Sequence, residues 1–383
     1  MIRKVVIASA GAGKTHRIIS EAGCYAIQGD KILVVTYTEN NQKELISRFS
    51  SLNLDNDKFV VKGLFSFLLE DIVRPYQQCA FGGRIETINF NSDGDPHKKN
   101  GRTIPGRKEL LPCGSFNPDY YLTQCRKKAH TTYLSKLASK ILKLKEKDIL
   151  DRLGGIYKHI YFDEVQDLVG WDYEILKALD KSKSFLITCV GDFRQTIYDT
   201  SVASKGPKSS KQKLDRFRRM KFDEEHLAVS RRSVQSICDY ADDIHFDEGY
   251  KKTISTIAEV PECFGDHVGV FCVSESNAIA YINEHKPVLL RHGVSSGKMF
   301  NEVNVKKINF GKSKGLGFER TIIVPTKPYI KYILGDRAVF DGNKSEESKN
   351  KLYVAITRAR YSVAFVLPDN QVSKCNLPEW KKD

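Results

Sequence analysis

The sequence predicts an α/β protein built on two parallel sheets, and three observations carry that prediction. Short apolar runs rich in β-branched residues end in polar residues, as buried parallel strands do. Stretches with helical spacing lie between them, so strand and helix alternate. At 383 residues the chain exceeds one ordinary domain and asks for two compact units.

The elements follow in order. KVVIAS (4–9) reads as a strand, a Gly-rich turn follows it, and THRIISEAGCYAIQG reads as a helix. KILVVTYT (31–38), KHIYFDEV (158–165) and KSFLITCVGD (183–192) are further strands, with NQKELISRF and YEILKAL as helices among them. Residues 76–118 lack any period and carry Gly, Pro, Asn, Asp and paired Lys, which predicts loops or short strands. From Tyr133 to Leu144 the spacing sets Leu134, Leu137, Ile141 and Leu144 on one helix face and Lys136, Lys140 and Lys143 off it. SVASKGPKSSKQKLDRFRRMK (201–221) reads as a linker or mobile loop. VGVFCV (268–273), PVLLR (287–291), RTIIVPT (320–326) and SVAFVL (362–367) supply a second set of strands, with SVQSICDYADDI and NKLYVAITRAR as helices.

Composition narrows the function. Hydrophobic residues make up 41% and charged residues 28%, and no apolar run nears the ~20 residues that span a bilayer. The opening MIRKVVIASAGAGK has no signal-peptide core, and the nine cysteines show neither CxxC pairs nor His partners at ligand spacing. A cytoplasmic protein with reduced thiols, no membrane partner and no zinc is the expectation. The net charge of +14 is concentrated: residues 96–147 hold 13 Lys/Arg against 3 Asp/Glu, and 201–221 hold 8 against 1. Basic segments grafted on a nearly neutral remainder suit a polyanion, because phosphate contacts and counterion release give affinity independent of sequence.

The chemistry begins at Ala8–Thr15, A-S-A-G-A-G-K-T between a strand and a helix. Glycines 11 and 13 let backbone N–H groups close round phosphates, Lys14 neutralises their charge, and the Thr15 hydroxyl is placed to hold Mg²⁺. YFDEVQD (161–167) ends an apolar strand with two acids, where Asp163 suits the metal and Glu164 suits a water-orienting base. VGDFRQTIY (190–198) ends another with Gln195, an uncharged group able to sense a γ-phosphate.

In this order the motifs resemble the superfamily 1A helicases, the UvrD, Rep and PcrA group: ASAGAGKT, TYTENNQKEL, DEVQD, GDFRQTIY, LAVSRRS, GKSKGLGF and VAITRAR. The resemblance implies two RecA-like P-loop NTPase domains with ATP and Mg²⁺ between them, 1–205 with a small basic insertion at about 72–150, and 206–383 with its own insertion largely absent. It implies nucleotide contacts from Gly11, Ala12, Gly13, Lys14, Thr15 and His16. Metal ligation falls to Thr15 and Asp163, and catalysis to Glu164, Lys14 and Gln195. Arg232 and Arg358 would reach the γ-phosphate, while Arg231 and Arg360 are surface residues.

For DNA the resemblance points to Tyr37, Ser66 and Tyr198, and the charge pattern adds Lys136, Lys140 and Lys143. The sequence departs from the family where Trp-Arg-Gly usually follows motif III, where Phe65 replaces His in motif Ib, where Gly317 replaces the ribose-binding Glu of motif V, and upstream of the loop, where no adenine-reading Gln stands. The expected activity is 3′ to 5′ movement on single-stranded or end-containing DNA driven by ATP. Two alternatives use the same residues. One is a regulatory ATPase subunit like the helicase partners of anti-phage systems such as GajB of Gabija, beside a nuclease or other effector; the other is an RNA helicase.

Overall fold

The computed structural model describes residues 3–52, 55–90, 94–197, 206–265, 267–342 and 346–382. They form two compact units. The first consists mainly of Thr15–Gly191 and runs on to Glu225; the second holds His226–Asp383 with two short stretches, Ile7–Lys14 and Asp192–Ile197.

The first unit is built on a six-stranded sheet in the order Asp223–Leu227, Arg3–Ala8, Leu186–Gly191, His159–Asp163, Ile32–Thr36, Phe59–Gly63. Ile32–Thr36 and His159–Asp163 are buried at every position and pair in parallel, Ile32 opposite His159. A strand covered on both faces has no wet side on which to alternate, which is why it reads as an unbroken apolar run. His159 is tolerated there because its Nε2 shares a 2.9 Å hydrogen bond with the Thr188 hydroxyl and its ring stacks on Tyr161. Burial pushes its pKa down to about 3, so the ring is neutral in the folded chain.

Helix Glu39–Ser50 starts where the Thr38 hydroxyl accepts from Asn41 N at 3.2 Å. In the insertion, Thr87–Asn89 pairs with Lys128–His130, and Lys98–Lys99 forms a small antiparallel ribbon with Arg102–Thr103. Helix Thr131–Leu144 buries Leu134, Leu137, Ala138, Ile141 and Leu142. Leu144, expected on that face, is 58% exposed, and Leu142 takes its place because the helix packs along both Leu68–Val73 and Trp171–Leu179.

The expected linker at 201–221 is corrected for its described part. Ser210–Arg219 is a helix whose N-terminus closes in a capping box between Ser209 and Gln212. Lys213 is fully buried and donates to the Gln166 carbonyl at 2.6 Å, Arg216 pairs with Glu174, and Phe217 packs edge-on to Tyr173. These contacts seat residues 206–225 with the first unit, whereas the sequence reading put the division at 205/206.

The second unit carries the order Lys307–Asn309, Val288–Arg291, Phe318–Val324, Ala359–Leu367, Gly269–Ser274, Glu379–Trp380, paired in parallel throughout. Ala359–Leu367 lies at its centre. Val363 and Phe365 face one layer of the core with Leu352 and Tyr353, while Ala364 and Val366 face the other with Tyr281 and Ile282. The helix expected over NKLYVAITRAR ends at Ile356. The Thr357 hydroxyl turns back to the Tyr353 carbonyl at 2.8 Å, and Ala359 already belongs to the strand, so Arg358 stands in the turn between them. No helix among the described residues is long and apolar enough to cross a membrane.

Candidate functional site

The phosphate-loop segment belongs to the second unit up to Lys14. Its backbone is held at three successive residues: Ser9 N donates to Leu227 O at 2.8 Å, Ala10 N to the Tyr353 hydroxyl at 3.2 Å, and Arg231 N to Gly11 O at 3.0 Å. Gly11 and Gly13 take φ +73° and +79°. A Cβ on Gly11 would sit 2.6 Å from Arg232 Cβ and 2.8 Å from Ser230 Oγ, so no other residue fits. Ala12 is buried between the two glycines, and Lys14 opens helix Lys14–Ile27, whose next two residues are a half-buried Thr15 and an exposed His16. A Gly-rich turn delivering Lys at a helix N-terminus is an arrangement suited to phosphate.

In the same unit Gln195 is buried, its side-chain amide donating to Asp192 Oδ2 at 2.7 Å. Arg232 is half-buried, with Nη1 3.4 Å from the Thr357 carbonyl. Arg358 is buried and donates to the carbonyls of Val354 and Leu316 at 3.0 and 3.1 Å and to the Thr357 hydroxyl at 3.2 Å. Arg231 and Arg360 are exposed, as expected.

The motif also carries residues the sequence reading passed over. Arg194 is fully buried; Nη1 meets Asp242 Oδ1 at 2.6 Å, Nε meets Asp192 Oδ1 at 3.4 Å, and Nη2 donates to the Ser9 hydroxyl at 2.8 Å. Its guanidinium lies over the rings of Tyr353 and Tyr250, 4.6 and 5.0 Å from their centroids. Burial by itself lowers an arginine's pKa, but Tyr353, Asp192 and Asp242 more than offset it and hold this group above its ordinary value. Arg194 is adjacent to Gln195 in sequence, yet Asp242 is 48 residues away and Ser9 185, and no local pattern announces either.

In the first unit Asp163 ends its strand, buried, with Oδ2 accepting from the buried Thr36 hydroxyl at 3.1 Å. Glu164 takes φ 55°, ψ 41°, the left-handed region, and its carboxylate receives the Gln166 side-chain amide. A non-glycine residue held there costs about 1–3 kcal/mol and marks a position fixed by its surroundings. Beside the strand ending at Thr36, the half-buried Tyr37 meets Phe65 edge-on at 6.0 Å, Phe65 meets Phe90 at 6.2 Å, and Phe90 is 70% exposed. Ser66 is half-buried in helix Leu64–Phe67. Tyr198 lies outside the described residues.

The three lysines expected to track phosphate do not form one surface. Lys136 and Lys140 both turn to Glu109, at 2.6 and 3.4 Å, and lie near the rings of Tyr120 and Trp171; only Lys143 is well exposed. Burial opposes ionisation of Glu109, yet its bonds to Lys136 and Tyr121 hold its pKa below the ordinary carboxylate value. Exposed cations of the insertion include Lys98, Lys99 and Arg102 on the ribbon, Lys108, Arg126, Lys127 and Lys128 beyond it, and Arg84, Lys143, Lys145 and Lys147.

Residues 3–90 and 116–205 match the model of the UvrD/REP helicase N-terminal domain. No curated protein matches the chain. Among solved structures the chain is similar to one described as a complex of Arterivirus nonstructural protein 10 (helicase) with DNA, at 12% identity and a TM-score of 0.46; the likeness covers 98% of this chain and 62% of that one.

Proposed function

We propose that this chain, whose residues 3–90 and 116–205 match the UvrD/REP helicase N-terminal domain, is a UvrD-like ATP hydrolase that moves 3′ to 5′ along single-stranded DNA. The observation that carries this reading is the phosphate loop, where Gly11 and Gly13 in positive φ bring Lys14 to the start of a 14-residue helix. Loop N–H groups and Lys14 bind the β- and γ-phosphates. Thr15 and Asp163 offer a hydroxyl and a carboxylate, the hard oxygens Mg²⁺ prefers, and the Thr36 bond fixes the orientation of that carboxylate. Thr15 and Asp163 would hold Mg²⁺, which when bound would neutralise charge on the phosphate oxygens.

Glu164, its backbone fixed and its carboxylate aimed by Gln166, orients the attacking water. Gln195 reads the γ-phosphate, and Arg232 and Arg358 stabilise charge developing in the transition state, Arg358 exchanging its carbonyl partners for phosphate oxygens. The aromatic row Tyr37, Phe65 and Phe90 gives bases a sequence-tolerant face to stack on, and the exposed lysines and arginines of the insertion follow the backbone.

ATP hydrolysis by the purified chain with and without single-stranded DNA, with Lys14→Ala as the blank, tests the reading. The expected result is turnover stimulated by DNA and absent in the variant. No turnover in the wild-type chain overturns it, and turnover indifferent to DNA replaces the motor with a regulatory switch acting on a protein partner.

A further inference from the structure

The buried polar cluster round Arg194 does more than satisfy its own members. One guanidinium sits between two carboxylates, Asp192 and Asp242, and those carboxylates bond in turn to groups that reach Gln195 and the phosphate loop. Asp192 Oδ2 accepts from Gln195 Nε2 at 2.7 Å and from the Tyr353 hydroxyl at 3.2 Å. The same Tyr353 oxygen accepts from Ala10 N in the phosphate loop. Asp242 accepts from the Thr253 hydroxyl and backbone N–H at 2.9 and 2.5 Å, and that hydroxyl reaches Ser9 Oγ at 2.9 Å, the atom Arg194 also holds. All of these residues belong to the second unit.

Resting on the function proposed above, we propose that Arg194 is a positioning residue that sets the phosphate loop and the γ-phosphate-reading Gln195 in one fixed register. It fixes the loop through Ser9 and fixes Gln195 through Asp192, while Asp242 anchors the guanidinium on helix Gln235–Asp243. The planar fork is essential to this. A guanidinium presents several N–H groups in fixed directions and meets three acceptors at once, whereas an ammonium is a point donor without that geometry. Arg194 touches no reacting atom in this scheme; it acts through Gln195 and the loop.

The test compares Arg194→Lys, Gln195→Ala and the double variant in steady-state ATP hydrolysis, with wild type and Lys14→Ala alongside. Arg194→Lys is expected to lower kcat roughly 10- to 100-fold, the effect of misplacing a catalytic group by about an ångström. If Arg194 acts through Gln195, the double variant falls within about twofold of Gln195→Ala alone. Losses that multiply, or a wild-type kcat in Arg194→Lys, overturn the inference.

Replacing the guanidinium between two buried carboxylates by an ammonium that cannot meet both can unfold the chain, so Ser9→Ala supplies an independent arm. It deletes the Ser9 hydroxyl's bonds to Arg194 and Thr253 and leaves Asp192 and Gln195 in place, and it is expected to raise KM for ATP about three- to tenfold with kcat kept, the net scale of one intramolecular hydrogen bond. An unchanged KM counts against the inference. A wild-type chain without turnover removes the underlying function instead, so the two failures are told apart.

Discussion

Glu164 holds left-handed backbone between the strand before it and the short turn after it, and its carboxylate receives the Gln166 amide. Glu164→Gln keeps shape and backbone but loses the carboxylate proposed as the base, so hydrolysis is expected to vanish while DNA affinity, read by fluorescence anisotropy, stays within a few-fold. Glu164→Gly relieves the strain and is expected to raise the melting temperature while abolishing turnover. Gly11→Ala works the other way: the new methyl meets Arg232 Cβ and Ser230 Oγ in a backbone region L-residues avoid. Nucleotide binding, followed by titration with a fluorescent ADP analogue, should be lost, with about 1–3 kcal/mol of stability lost in urea unfolding. Lys14, Asp163 and Glu164 stand out in the sequence because each lies in a short contiguous motif, Ala8–Thr15 or Tyr161–Asp167. Arg194 was not legible, because its meaning lies in partners 48 and 185 residues away.

At the scale of elements, helix Thr131–Leu144 changes meaning between sequence and structure. Its lysines are expected from the sequence to track phosphate, but Glu109, contributed from a loop with no period, captures two of them. Lys136→Ala and Lys140→Ala are therefore expected to lower thermal stability and to leave the salt dependence of DNA binding unchanged. The ribbon Lys98–Lys99 and Arg102–Thr103 turns through Asn100 and Gly101, both in positive φ, and its three cations are exposed. Neutralising Lys98, Lys99 and Arg102 together should reduce the slope of log K against log salt by about 2 for single-stranded DNA, as three lost phosphate contacts require.

Helix Ser210–Arg219 escaped notice because its serines and lysines mimic a linker, although the Ser209–Gln212 capping box was present in the sequence. Ser209→Ala should cost about 1 kcal/mol, measured by denaturant unfolding.

For the molecule as a whole, strands were the most readable parts. Ile32–Thr36, His159–Asp163 and Ala359–Leu367 are buried almost throughout, and burial on both faces writes itself directly into composition. What burial does not write is where a polar group is tolerated inside, and two histidines show the cost. His159 and His267 each have a pKa pushed down to about 3, chiefly by burial and then by neighbouring cations and, at His267, the His285 ring. Each lies below the ordinary value of 6.5, so the unfolded chain binds the extra protons. Stability from these sites is complete above about pH 6.5 and declines as pH falls toward 3. Melting temperature should accordingly drop through that window, and less steeply in a His159→Phe, His267→Phe double variant.

The phosphate loop's partners have a further consequence in time. Ala10 is synthesised 343 residues before Tyr353, whose hydroxyl receives its N–H. At about 5–20 residues per second, that gap is roughly 20–70 s of translation. The loop thus leaves the ribosome well before the last of its neighbours is made. The Ala10 N–H gains this partner only when the helix carrying Tyr353, Glu346–Ile356, has emerged.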